Sequence, residues 1–235
     1  MKVKLIGHTQ LSENMFNEFK DTFEEGTTDA QVISLMAVRS CYSHKTACEV
    51  LETEGKKYLG NGAKESKRLM DHIVKSKHLS TCEHVNFVFA VEGVSRALLS
   101  QVTRHRQLSF SVQSQRYNKF SSNSRSGGFD YVEPETIKNN VQAKDIMIKY
   151  MNDIQDMYDD LIALGIPQED ARSVLPNAAT CNLVTSGNLR AWLEFYKKRK
   201  PGNGAQKEIA EFAEAIKNEI ISVEPWTKDY FEMEN

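Results

Sequence analysis

The 235-residue sequence carries little that could staple it, anchor it or give it a field of one sign. Its four cysteines, Cys41, Cys48, Cys82 and Cys181, form no C-x-x-C pair and lack the dense spacing of a secreted disulfide scaffold, so they read as reduced structural thiols. No apolar run approaches the length needed to cross a bilayer, and none follows Lys2 and Lys4, so no membrane is implied and a cytoplasmic protein is the default. A net charge of −2 excludes wrapping of nucleic acid through a global basic field and leaves only a local patch open. No repeat and no linker divides the chain. With 40% hydrophobic and 26% charged residues, it can afford a core and is expected to fold as one domain over 1–235.

Periodicity changes several times along that domain. Val3 and Leu5 before Gly7 predict a short strand, and Ser12 a cap for a helix bearing Met15, Phe16, Phe19 and Phe23. A second helix is predicted over Asp29 to Tyr42. The polar stretch from Cys48 to Gly62 reads as a surface excursion before a helix from Lys64 to about Lys77. Val85, Phe87, Phe89 and Val91 alternate with smaller or polar neighbours, a strand period over Glu83 to Val91. Helical spacing returns from Val94 to Arg106, and Leu108 to Tyr117 reads as extended. The serine-rich Ser121 to Gly128 is the candidate flap. Ile146, Tyr150, Ile154, Met157, Tyr158 and Leu161 predict a helix stopped by Gly165 and Pro167. A short strand at Ala179 to Thr185 and helices over Asn188 to Lys200 and Gln206 to Val223 complete the chain. Strands and helices do not alternate regularly, so the expected class is α+β, with helices around a modest, mainly antiparallel sheet.

The chemistry gathers where acids are missing. Five of the ten arginines, Arg96, Arg104, Arg106, Arg116 and Arg125, lie between residues 96 and 125, and no acid occurs between Gly93 and Phe129. A solvated charged face mixes lysine with glutamate, whereas an acid-free run of arginines, hydroxyls and amides fits a site for phosphates or carboxylates. Burying such a run unpaired would be expensive, so it should line a polar site or face solvent. His78, Cys82 and His84 form a loose metal-like set whose spacing fits no established site, so no metal is expected.

Arg104-His105-Arg106, seven residues and then Ser114 resembles the signature of the flavin-dependent thymidylate synthases. Gln101 precedes it at the matching offset, Gln115-Arg116-Tyr117 closes it, and Glu83-His84 begins the strand before it. A second block, Ala171-Arg172-Ser173-Val174-Leu175-Pro176, then Asn188-Leu189-Arg190 and Arg199, is similar to the family's substrate and flavin segment. Ala37-Val38-Arg39-Ser40-Cys41-Tyr42 is a weaker third match. Glu194, Asn86 and Cys41 depart from the family pattern, standing where an amide, a hydroxyl residue and serine are usual.

The resemblance implies the thymidylate synthase-complementing protein fold and reductive methylation of dUMP to dTMP. Methylenetetrahydrofolate would give the carbon, and FAD reduced by NADPH the hydride, in a homotetramer. It implies Arg199 as the catalytic residue, stabilising charge as the uracil N3 loses its proton. Gln101, Arg104, Gln113, Ser114, Gln115, Arg116, Arg172 and Arg199 would bind dUMP. His84, Asn86, Arg104, His105, Arg106, Gln107, Val112, Asn188, Leu189, Arg190 and Glu194 would meet the cofactor. Taken residue by residue, Arg199 also reads as a helix C-terminal cation, and Arg172 as a salt-bridge partner of Glu169 or Asp170. Ser114 lacks a nearby base other than His105 or His84, which favours binding over nucleophilic attack. The alternative function is a non-catalytic nucleotide or single-stranded nucleic-acid binding module, with Phe110, Tyr117 and Phe120 as stacking platforms. That module has no use for a separate block from Arg172 to Arg199. A related enzyme that methylates uridine within RNA would be expected to carry an appended basic domain, which the sequence does not show, so free nucleotide is the expected substrate.

Overall fold

The computed structural model describes residues 1–233. Strands β1 (Lys2–His8), β2 (Asn86–Ser95), β3 (Ser109–Val112) and β4 (Thr180–Asn188) form an antiparallel sheet of order β1-β2-β4-β3. Helices make up most of the remainder: α1 (Glu13–Phe19), α2 (Asp29–Tyr42), α3 (Ala47–Leu59), α4 (Lys64–Lys75), α5 (Arg96–Val102), α6 (Glu135–Lys138), α7 (Val141–Ala163), α8 (Gln168–Ala171), α9 (Leu189–Arg199), α10 (Lys207–Val223) and α11 (Lys228–Glu232). The class is α+β, as the irregular order of elements predicts.

Contacts gather the chain into two compact units, one of Met1–Val3, Ala90–Thr185 and Gln206–Ile209, the other of Lys4–Phe89, Ser186–Ala205 and Ala210 onward. Strands β1, β2 and β4 each have residues in both.

In the second unit, α2 and α3 begin with reciprocal capping boxes, Thr28 with Gln31 and Thr46 with Glu49, which satisfy the first free N–H groups of each helix. The segment from Cys48 to Leu59 is therefore helix, with only Gly60 to Gly62 beyond its end, and not the surface excursion its polarity suggested. Val50, Leu51 and Leu59 are fully buried, and Leu51 and Leu59 pack with Phe19, Val32 and Leu35. Its polar residues occupy the outer face of an amphipathic helix, a pattern that a count of polar residues misses. Phe87, Phe89, Trp192, Phe195 and Phe212 form the aromatic centre. Phe89, Trp192, Phe195 and Phe212 meet edge to face in sequence, with centroids 5.2, 5.8 and 5.7 Å apart.

In the first unit, α7 ends where Gly165 takes φ +81° and the Gly165 and Ile166 N–H groups turn back to the carbonyls of Ile162 and Leu161. The serine-rich segment is tied to α7 and is not a free flap. Phe120 N–H donates to Tyr158 Oη at 3.2 Å, Ser122 N–H and hydroxyl both donate to the Asp159 carboxylate, and Phe129 N–H donates to Gln155 Oε1 at 2.9 Å.

Several boundaries differ from the sequence expectation, among them the end of β4, which runs on to Asn188. Leu79–His84 forms a 3₁₀ turn, so Glu83 and His84 precede the strand. Strand β2 runs on to Ser95, which caps α5 and shortens that helix to seven residues. The extended segment ends at Val112, since beyond it Asn118 N–H turns back to the Ser114 carbonyl at 3.1 Å.

Candidate functional site

The first unit presents the motif on a turn. After α5 the chain closes on itself through His105 N–H to Val102 O and Leu108 N–H to His105 O, at 3.0 and 3.1 Å. Leu108 is buried and pins the turn, which leaves Arg104, Arg106 and Gln107 exposed and His105 half-buried. Among the described residues neither Arg104 nor Arg106 has an ion-pair partner, so two guanidinium groups stand uncompensated within three residues.

Beyond the turn, Val112 is half-buried at the end of β3. Gln113 N–H donates to Asn182 O at 2.8 Å, and Gln113 Oε1 accepts from Asn182 N–H at 3.2 Å. The Gln113 side-chain oxygen is thus spent on extending the sheet, which limits its substrate role to the amide NH2. Ser114 Oγ accepts from Arg116 N–H at 3.1 Å, and Gln115 is buried. Gln101 donates to Gln206 Oε1 at 2.8 Å.

Arg116 and Arg172 come together at Glu169. Arg116 Nε and Nη2 reach the same Glu169 carboxylate oxygen at 2.9 and 2.8 Å, and Arg172 Nε donates to the Glu169 carbonyl at 3.0 Å. The salt bridge considered for Arg172 is therefore made by Arg116. Arg116, Tyr117, Lys119, Gln168 and Glu169 line a cleft of about 670 Å³.

The second unit holds the remaining residues that the sequence singles out. Asn86 N–H donates to Thr9 Oγ1 at 2.7 Å, and His84 is exposed at the end of its turn. Asn188 caps α9, its Oδ1 accepting from Ala191 N–H at 2.9 Å. Leu189 is fully buried and its N–H donates to Val85 O at 2.7 Å, so its side chain anchors the helix and only its carbonyl is left for a cofactor. Arg190 is clamped between two carboxylates, with Nε 3.0 Å from Glu194 Oε1 and Nη1 2.6 Å from Glu83 Oε1. The bonds to Glu194 and then Glu83 raise its pKa further and hold it charged. Arg190, Glu194, Lys197 and Lys200 face Tyr230 and Phe231 across a cavity of about 320 Å³. Arg199, the last residue of α9, is half-buried.

Sequence reasoning missed the partners rather than the arginines. Glu83 and Gln206 were read only as element starts, and their pairing with Arg190 and Gln101 joins positions more than 100 residues apart. Only Glu194, four residues after Arg190 on one helix, was legible from spacing. The two buried thiols are poor nucleophiles, since burial pushes Cys82 up to about 11 and also raises Cys181. Among the described residues no group of three metal-ligating side chains converges, and His78 instead stacks on Tyr42 with its Nδ1 2.5 Å from the Tyr42 hydroxyl.

The family model described as thymidylate synthase complementing protein matches residues 24–226. A flavin-dependent thymidylate synthase of Haloarcula marismortui is 31% identical over 232 residues, covering 89% of this chain and 94% of that one. A flavin-dependent thymidylate synthase of Nitratidesulfovibrio vulgaris is 44% identical over 135 residues, and this match spans about half of each protein, 54% of this chain and 53% of the relative. In fold, the chain is similar to the Helicobacter pylori flavin-dependent thymidylate synthase complexed with FAD and dUMP, with TM-score 0.68, 21% identity and coverage of 99% and 98%. It is also similar to the UMP/dUMP methylase PolB of Streptomyces cacaoi bound with 5-Br dUMP, with TM-score 0.73, 19% identity and coverage of 98% and 94%.

Proposed function

The chain belongs to the thymidylate synthase complementing protein family, the flavin-dependent thymidylate synthases, and we propose that it methylates dUMP to dTMP with carbon from methylenetetrahydrofolate and an FAD reduced by NADPH. It is a flavin-dependent enzyme, and the comparisons give no support to a non-catalytic nucleic-acid module. The observation that carries the reading is the turn from Arg104 to Gln107, with two exposed guanidinium groups that no carboxylate among the described residues neutralises.

The donor set fits FAD. Its diphosphate is a dianion, and in the first unit Arg104 and Arg106 supply planar donor forks for it, with His105, Gln107 and Val112 beside them. In the second unit, taken by itself, Asn86, Asn188, Arg190 and the Leu189 carbonyl are the candidate cofactor contacts. The flavin supplies the hydride when bound. The chain's own residues bind and polarise. Arg116 and Arg172, both held at Glu169, one by its carboxylate and the other by its backbone carbonyl, hold the nucleotide phosphate, while Ser114, Gln115, Gln113 and Gln101 orient the sugar and base. Arg199 stabilises the negative charge that develops as the uracil N3 gives up its proton, a task suited to a side chain that does not itself deprotonate. His84 guides the folate or nicotinamide, and Glu194 tunes Arg190 rather than meeting the flavin with an amide.

Residues 1–235 work as one functional domain, and a homotetramer is the assembly. Its support is α7, whose Ile146, Tyr150 and Met157 are exposed at helical spacing, with Leu164 exposed just past its end, apolar side chains of the kind that subunit contacts cover. The cytoplasm is the compartment, supported by four cysteines that all remain free thiols; no helix among the described residues is long and apolar enough to cross a membrane. The deciding experiment is an absorbance spectrum of the purified protein, followed by anaerobic reduction and addition of dUMP and methylenetetrahydrofolate. Bound flavin and thymidylate are expected, with Arg199→Ala lowering kcat by about 10² or more. A colourless protein that takes up no FAD and makes no thymidylate refutes the reading. Gel filtration with light scattering should give a tetramer, and a stable active monomer refutes that part.

A further inference from the structure

Helix α5 carries Gln101 toward the arginine turn, and one short segment remote in sequence braces it at both ends. At its start Ser95, itself buried, donates from N–H and hydroxyl to the two carboxylate oxygens of Glu208 at 2.8 and 2.6 Å, while its Oγ accepts from Leu98 N–H at 2.9 Å. At its end Gln101 Nε2 donates to Gln206 Oε1 at 2.8 Å and, more weakly, to the Ala97 carbonyl at 3.4 Å. Lys207, between the two, pairs with Glu135.

These contacts settle which way the Gln101 amide points. Oxygen and nitrogen of a glutamine are assigned from their partners, and the Ala97 carbonyl only accepts. Flipping Gln101 would set its Oε1 against that carbonyl, two acceptors facing one another, so both Nε2 protons are committed and Oε1 is the group left to offer. We propose that Gln206 is a positioning residue that locks the Gln101 amide, so that Gln101 meets the nucleotide as an acceptor and recognises an N–H or O–H donor. On dUMP the donors are the uracil N3–H and the 3′-hydroxyl. The proposal rests on the dUMP reading above, and it adds the sense of the Gln101 contact and the residue that sets it.

The test uses full-length enzyme loaded with FAD, with dUMP binding measured by calorimetry and turnover measured separately. Gln206→Met removes the acceptor at similar volume, and Gln206→Glu keeps one. Met at 206 weakens dUMP binding and raises its KM about tenfold, the worth of one misdirected hydrogen bond, with kcat within about twofold. Glu at 206 restores binding, and both variants melt close to the wild type. The Gln206→Met penalty disappears with an analogue lacking the contacted donor, either the N3-methyl or the 3′-deoxy nucleotide. Unchanged binding in Gln206→Met, failure of Gln206→Glu to restore it, or a penalty that persists with both analogues overturns the lock. Since binding is read without turnover, a wild type that binds dUMP but makes no thymidylate overturns the function and leaves the lock to be judged on binding.

Discussion

Replacing Glu169 by glutamine should make the enzyme bind its nucleotide more tightly. Arg116 places Nε and Nη2 on one oxygen of Glu169, at 2.9 and 2.8 Å. Arg172 donates to the carbonyl of the same residue at 3.0 Å. If Arg116 serves the phosphate of dUMP, it must loosen its hold on Glu169 first, and that loss is charged against binding. The size of the loss follows from exposure. The two side chains are 53% and 47% exposed, so water and salt screen the pair and it is worth about 0–1 kcal/mol despite its short contacts. Glu169→Gln removes the competing charge and leaves a weaker neutral acceptor, so Kd for dUMP should fall by up to about fivefold. Raising ionic strength shrinks the difference, since the Debye length is only about 8 Å at physiological salt. Calorimetric titration of dUMP into wild type and variant, each loaded with FAD, at low and high salt, reads the effect directly. Weaker binding in Glu169→Gln would refute the reasoning, because it would mean that Glu169 orients Arg116 for the phosphate instead of competing for it.

Glu194→Gln restores an amide at the position and frees Arg190 from one of its two carboxylates, so FAD should bind up to about fivefold more tightly in a flavin-fluorescence titration; weaker binding counts against Arg190 as a diphosphate contact. Glu224 is buried, and burial raises its pKa despite hydrogen bonds from Thr28 and Trp226 and the proximity of His8. A raised folded pKa means that its contribution is full below the unfolded value near 4.3 and is lost as pH rises through the folded one. Glu224→Gln keeps the acceptor for Thr28 and Trp226 and carries no charge, so its stability in urea should fall less than that of wild type between pH 5 and 8, and parallel profiles would exclude this role. Leu51→Ala should cost about 2–5 kcal/mol in chemical denaturation, because the side chain is fully buried among Phe19, Val32 and Leu59; a cost near zero would return residues 48–62 to the surface.

What was legible in the sequence was whatever short-range pattern expresses. The alternation from Val85 to Val91 set the buried face of β2, the spacing from Ile146 to Leu161 set α7, and Gly165 set its end. The arginine turn was visible for the same reason, as an acid-free run whose composition no ordinary core or solvated face shares, and two ordered motif blocks identified the family. The helix from Ala47 to Leu59 was obscured because polarity was read along the chain and not around the helix, although Thr46 and Glu49 already spelled its capping box.

The sequence by itself determined the α+β class, the family and the arginines proposed to meet phosphate. Only the tertiary structure decided what each of them faces. Glu169 holds Arg116 and not Arg172 by its carboxylate, Glu83 clamps Arg190, and Gln206 orients Gln101. Each of these contacts closes a loop of more than 50 residues, and a contact of that kind leaves no period or spacing in the sequence, because it depends on where folding brings two distant segments and not on what lies beside either of them.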